Sequence, residues 1–288
     1  MTAFLQALID GTLVGGVYGI IAVGLSLVFG VLGIVNFAQA EFMMLGMYAA
    51  WFAWRYLGLD PLIGAAISFA VGFGIGALAQ RFLIQRVMNA PHVSQIFLTV
   101  GLLIVLENAA LLLFGADFRT VQTPYQTQSL QMGPFFISVP YLAAFCNALV
   151  VSVALWLVMA RTWIGRAIRA TAQNAMAAEI FGVDAKRVYM IAFGLGTGLT
   201  AFGGGIILSY SSVSPTSGAQ YVVLMFTVVV LGGLGSVLGA LIGGIAVGII
   251  QSLSTLVMPI QVQNLALFVI FIALLTFRPQ GLLGGASR

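Results

Sequence analysis

Long apolar runs separated by short polar breaks fill this chain from end to end. They predict membrane-spanning helices near residues 12–31, 36–55, 62–81, 94–115, 139–160, 188–210, 219–234, 237–257 and 262–277. A helix needs about 20 apolar residues to cross the hydrocarbon core of a bilayer. A transmembrane barrel would show short strands of alternating polarity instead. The pattern therefore predicts an all-α, polytopic helical membrane protein of about nine spans, eight to ten at the limits, forming a single transmembrane domain over residues 1–288.

The polar breaks orient the spans. Arg81 and Arg86 lie in one break, Arg161, Arg166, Arg169, Lys186 and Arg187 in another, and Arg278 and Arg288 in the tail. Basic residues collect on the cytoplasmic side. Placing these three segments there puts nine of the eleven basic residues inside and leaves Arg55 and Arg119 outside. The 161–187 segment and the tail then need an even number of crossings between them, so the chain turns at the GGLGS of residues 232–236. The crossing before that turn is short, as a re-entrant or broken helix would be. The first ten residues hold no Lys or Arg, and Asp10 interrupts the first apolar run. We expect no cleavable signal, an amino terminus outside and a carboxyl terminus in the cytoplasm.

Composition sharpens the class and removes several functions. The chain is 61% hydrophobic and 6% charged, with a mean hydropathy of +1.12. Its net charge of +4 comes from residues flanking spans, so no nucleic-acid surface is expected. Cys146 is the single cysteine and permits no internal disulfide. His92 is the single histidine, so no histidine-built metal site is expected and the serines have no activating base. No G-x-x-x-x-G-K-[ST] motif is present to cradle a nucleotide. No catalytic set emerges.

Polar residues at membrane depth are costly and suggest function. Asn36, Gln39 and Glu41 open the second span, and Glu107 and Asn108 lie near the middle of the fourth. They either tie helices together or line a substrate path, where a carboxylate is a natural partner for the ammonium of a zwitterion. Glycines recur at four-residue spacing: Gly11/Gly15/Gly19, Gly72/Gly76, Gly194/Gly198, Gly235/Gly239/Gly243 and Gly244/Gly248. Such spacing lets helices approach closely, here chiefly within the subunit. Residues 209–218 (SYSSVSPTSG) form a hydroxyl-rich break at the external mouth, where Pro215 and Gly218 should stop a helix. Ser211, Ser212, Ser214 and Pro215 are candidates for an external gate; a plain loop is the alternative. Residues 116–138 are the one sizeable external segment, either a connecting loop or a docking surface.

The 161–187 segment concentrates five of the eleven basic residues in a chain with little other charge, which is where a soluble partner would be met. Residues 165–181 are rich in helix formers and predict a helix, with Ile164, Ile168, Ala172 and Ala175 as its apolar stripe. Gly182 supplies the stop and Asp184 begins the next turn. A short helix between two spans suits insertion into a groove on a partner.

Four blocks carry a resemblance: GLSLVFGVLGIVNFAQAEFMMLGMYAA at 24–50, GRAIRATAQNAMAAEIFGVDAKRV at 165–188, VVVLGGLGSVLGALIGGIAVG at 228–248 and FRPQGLLG at 277–284. Together they resemble the permease subunits of branched-chain amino-acid ABC importers, specifically the smaller of the paired permeases. The resemblance implies an ABC importer permease that moves branched-chain or related amino acids by ATP-driven alternating access. It places a coupling helix in the 161–187 segment, with Gly165, Arg166, Arg169, Gln173, Ala177, Ala178 and Gly182 at the ATPase contact. Importer permeases carry there a Glu-Ala-Ala, three residues, then Gly. Ala177, Ala178 and Gly182 match this pattern, while Met176 stands at the Glu position and the later Leu-Pro is missing. The implied partners are a second, larger permease, two ATP-binding subunits that hold ATP and Mg, and an extracytoplasmic substrate-binding protein. The implied location is a bacterial inner membrane. This chain itself would need no cofactor and catalyse no reaction. Alternatives are the same architecture with urea, amides, other amino acids or nucleosides as cargo, and an autonomous secondary transporter or channel. A membrane-embedded hydrolase lacks its nucleophile and base.

Overall fold

The structure, a computed structural model, describes residues 2–257, 263–277 and 281. It opens with α1 (Thr2–Leu32), α2 (Gln39–Leu57) and α3 (Pro61–Ala79), which continues through a π-helical turn (Gln80–Ile84) into α4 (Gln85–Val87). After α5 (His92–Phe114) come two short strands, β1 (Ser129–Met132) and β2 (Phe135–Ser138). The remainder is α6 (Val139–Arg161), α7 (Trp163–Gln173), α8 (Ala175–Ile180), α9 (Ala185–Ile207), α10 (Ser217–Gly232), α11 (Val237–Ser254) and α12 (Gln263–Phe277). Among the described residues, six helices are long and apolar enough to cross a membrane: α1, α3 with its extension, α5, α6, α9 and α11. The other three predicted positions are filled by α2, α10 and α12. Helix α2 carries Glu41 and Arg55 within its length, and α10 and α12 are only 16 and 15 residues long.

Small residues decide the packing, because lipid gives helices no hydrophobic reason to associate and contact comes from close backbone approach. Helices α1 and α9 are buried along most of their length and form the centre. Gly11, Gly15 and Gly19 of α1 lie against Ile249, Ile245 and Leu241, so α11 runs antiparallel to α1 with no room for a methyl group at Gly11 or Gly15. On the other side Gly24 meets the Gly196 carbonyl of α9. Gly72 and Gly76 of α3 abut Thr197, whose hydroxyl donates to the Gly72 carbonyl at 3.0 Å. Gly46 of α2 sits on Ala201, and Ser68 donates to the Gly46 carbonyl at 2.7 Å. These glycine rows pack within the subunit. Helices α5 and α6 have few buried residues and bound the bundle.

Three local expectations change. The first helix begins at Thr2 rather than near residue 12, because Asp10 does not break it. Gln6, one turn earlier, donates to the Asp10 carboxylate at 3.0 and 3.1 Å and satisfies it on the helix surface. Gly218 likewise does not stop a helix; it lies in the first turn of α10, while Pro215 falls in the non-helical approach. Residues 129–138 form an antiparallel hairpin, pairing Ser129 with Ser138 and Met132 with Phe135, in a chain otherwise helical. Gln6 clamps that hairpin to α1, donating to the Phe136 carbonyl at 2.7 Å and accepting from its amide at 3.0 Å. Arg278, Arg288 and most of the 277–284 block lie outside the described residues.

Candidate coupling surface and intramembrane polar cluster

Two of the three basic segments expected on one side of the membrane meet at one end of the bundle. Gln80, Arg81 and Gln85 share a cavity of about 450 Å³ with Lys186, Arg187 and Met190, joining the end of α3 to the start of α9. Arg119 lies at the opposite end, its guanidinium 4.5 Å from the centre of the Trp51 ring.

At the basic end the 161–187 segment is two helices, not one. Thr162 caps α7 by accepting from the Gly165 amide at 3.1 Å. The chain extends at Asn174 (φ −157°, ψ 102°), whose side chain accepts from the Ala177 amide at 3.0 Å and starts α8 afresh. An Asn that caps with its own side chain outcompetes continuation of the helix, and composition alone did not reveal it. Gly182 ends the pair at φ +84°, in a region L side chains avoid. Asp184 then caps α9 through the Arg187 amide and pairs with the Arg187 guanidinium at 2.8 Å.

The expected contact residues divide by role in this geometry. Arg166, Gln173 and Gly182 are exposed. Arg169 is exposed too, but donates to the Met159 carbonyl in the last turn of α6. Gly165 is buried against the Met159 backbone, and Ala178 is buried while Ala177 is half-buried. Of the apolar stripe expected at 164, 168, 172 and 175, Ile168 packs into the core and Ala172 and Ala175 are half-buried, while Ile164 stays exposed. The most exposed apolar side chains of the pair are Met176, Ile180 and Phe181, at 76%, 80% and 87%. Met176 and Ile180 share one face of α8 at i, i+4 spacing, a signal the sequence carried in its EIF triplet beside Met176.

Within the bundle, Asn36 and Gln39 are fully committed to the fold. Asn36 donates to the Gln39 side chain at 2.9 Å and accepts from the Ala38 amide at 3.1 Å, which shapes the turn between α1 and α2. Gln39 donates to Thr200 at 2.7 Å and to the Gly196 carbonyl at 3.1 Å, locking α2 to α9. Glu41 differs. It is fully buried, and neither carboxylate oxygen has a hydrogen-bond partner. Glu107 of α5 is half-buried and near enough to act on it electrostatically. The one ion pair among the described residues is Arg187–Asp184, so neither glutamate meets a cation. Asn108 faces outward and donates to the Ile104 carbonyl at 2.8 Å.

The hydroxyl-rich break folds into the protein. Ser214 and Pro215 are buried, and Ser211 and Ser212 half-buried. Val213 pairs with Arg119 through two backbone hydrogen bonds of 2.8 and 2.9 Å, which anchor the segment to the 115–128 loop. Nearby, Tyr125 donates to Asp60 at 2.6 and 2.8 Å; burial, then the adjacent carboxylate, push its phenol above the ordinary tyrosine range. Ser211 also borders a cavity of about 440 Å³ that contains Asp10, Tyr18, Tyr141, Tyr210, Tyr221 and Gln251. Sequence reading missed this tyrosine cluster, though Asp10 and Tyr18 stand two helical turns apart, Tyr210 lies in the break and Tyr221 just after it.

A bundle of apolar helices, packed through glycine and presenting a short helical pair at its basic end, is a multi-pass membrane permease. The family model described as branched-chain amino acid transport system / permease component matches residues 7–277, and the chain belongs to that family. It is 29% identical to the high-affinity branched-chain amino acid transport system permease protein BraD of Pseudomonas aeruginosa, covering 98% of this chain and 96% of the relative. It is 28% identical, over the same shares, to the corresponding protein LivH of Escherichia coli strain K12. A more distant likeness, 27% over 82% of this chain and 74% of the relative, is to the ribose import permease protein RbsC of that strain. No solved structure matches the chain.

Proposed function

We propose that this chain is one permease subunit of an ATP-driven importer for amino acids with branched apolar side chains, working by alternating access. The observation that carries the reading is the α7–α8 pair at the basic end, which leaves Met176, Ile180 and Phe181 exposed, with Arg166 and Gln173 exposed on α7. A short helical pair with exposed apolar and basic side chains suits a groove on a soluble subunit. The full-length likeness to branched-chain amino acid permeases supports the cargo. The working unit pairs this chain with a larger permease, two ATP-binding subunits that hold ATP and Mg, and an extracytoplasmic binding protein. The basic end faces the cytoplasm of a bacterial inner membrane, with the amino terminus outside and the carboxyl terminus inside. Hydrolysis belongs to the ATP-binding subunits, and their closure shifts the permease only if α7 and α8 are gripped differently in the two states.

The test is co-purification with the host's ATP-binding subunits, followed by uptake of labelled leucine in proteoliposomes. Wild type should retain the ATPases, and both Gly182→Arg and an Arg166→Ala/Arg169→Ala double variant should lose them while staying folded. Leucine uptake without any bound ATPase would overturn the reading in favour of an autonomous transporter. ATP-dependent uptake of ribose but not leucine would reassign the cargo.

A further inference from the structure

Glu41 is the one carboxylate in the described bundle that is fully buried and wholly without partners. Its surroundings are specific. Its carboxylate packs against Gly218 in the first turn of α10, so closely that a methyl group at Gly218 would overlap it. That helix starts without a side-chain cap, whereas α3, α7, α8, α9 and α11 each receive one. The Ser217 amide is satisfied by the Ser214 carbonyl at 3.0 Å. Helix geometry leaves the next two amides, of Gly218 and Ala219, without an intrahelical acceptor. Such amides and the aligned peptide dipoles favour negative charge. A buried carboxyl group without partners therefore packs on the first turn of α10, beside amides that have no acceptor.

We propose that Glu41 and the first turn of α10 form the intramembrane site for the head group of a zwitterionic amino acid. The ammonium goes to Glu41, and the carboxylate goes to the Gly218 and Ala219 amides. With the site closed, the Glu41 carboxyl packs on Gly218 without a partner; with it filled, the ammonium meets Glu41 and the substrate carboxylate meets the helix amides. An anion would leave two carboxylates facing one helix end, and an uncharged sugar would leave Glu41 unneutralised. Phe37 of the turn before α2 and Phe226 of α10, ring centres 5.1 Å apart, offer apolar surface to the side chain. The structure shows the closed form, with Glu41 pressed on Gly218, and the site opens when α2 and α10 separate.

This inference rests on the amino-acid cargo proposed above. The experiment is leucine uptake and ATP hydrolysis by the complete importer in proteoliposomes, comparing wild type with Glu41→Gln and Glu41→Asp. Loss of a charge-assisted contact should lower Glu41→Gln uptake about tenfold or more, with hydrolysis stimulated by the loaded binding protein kept within about twofold of wild type. Glu41→Asp, which keeps the charge, should recover part of the uptake. Unchanged uptake in Glu41→Gln overturns the proposal. So does a parallel loss of uptake, assembly and hydrolysis, because Glu41 would then act in folding or closure. If wild type itself assembles and hydrolyses ATP but imports no amino acid, the cargo reading has failed, a result seen before any variant is compared.

Discussion

Phe181→Ala tests the coupling surface most directly. Phe181 is 87% exposed in the subunit, so nearly all its apolar area is still available for burial against a partner. Burying a side chain of this size is worth about 1.5–3 kcal/mol. Taking about 2 kcal/mol, removal should weaken ATPase docking about 30-fold. The subunit's own stability should barely move, since the ring contributes little to its folded interior. Ile168→Ala is the matched control. Ile168 is 1% exposed and packs in the core, so its truncation should cost about 2–5 kcal/mol of folding stability. The assay titrates the ATP-binding subunit onto detergent-purified permease and records thermal unfolding of each variant alone. An unchanged Kd for Phe181→Ala would refute the docking role. A Tm loss equal to that of Ile168→Ala would show instead that Phe181 is held in the fold.

Other substitutions probe the supports of that surface and the opposite end of the bundle. Asn174→Ala removes the cap of α8 and should cost about 1 kcal/mol locally, read as faster hydrogen exchange at residues 176–181. Slowed exchange there would show that α7 and α8 fuse instead. Gly182→Ala meets no neighbour within 4 Å, so its cost is conformational only, about 1–2 kcal/mol for a positive φ, seen as a lowered Tm with the fold retained. Tyr125→Phe breaks the bond to Asp60 and should destabilise the 115–128 loop by about 1.5–3 kcal/mol, measured as faster proteolysis of that loop; unchanged cleavage would count against it.

Much of this protein was legible without coordinates. The hydrophobic runs located the bundle helices, because a bilayer demands one length of apolar helix and satisfies no stray backbone group. The glycine spacing pointed to close contacts, and the charge asymmetry marked one end, where Arg81 and Arg187 indeed share a cavity. The 161–187 segment stood out because charge is scarce everywhere else.

What the sequence could not decide was partnership, since it depends on which helices meet. Asn36, Gln39 and Glu41 look alike as polar residues opening a span, yet the first two spend their hydrogen bonds on the α1–α2 turn and on α9, while Glu41 alone has none. Only the approach of α10, which follows the 209–216 segment, sets Gly218 against that carboxylate. The free face of the coupling pair was hidden for the same reason. Periodicity shows that a helix has an apolar stripe, but packing against the bundle took Ile168 inward and left Ile180 and Phe181 outside. Local pattern sets which segments become helices; long-range contact sets which of their polar groups remain unsatisfied and which apolar faces remain bare.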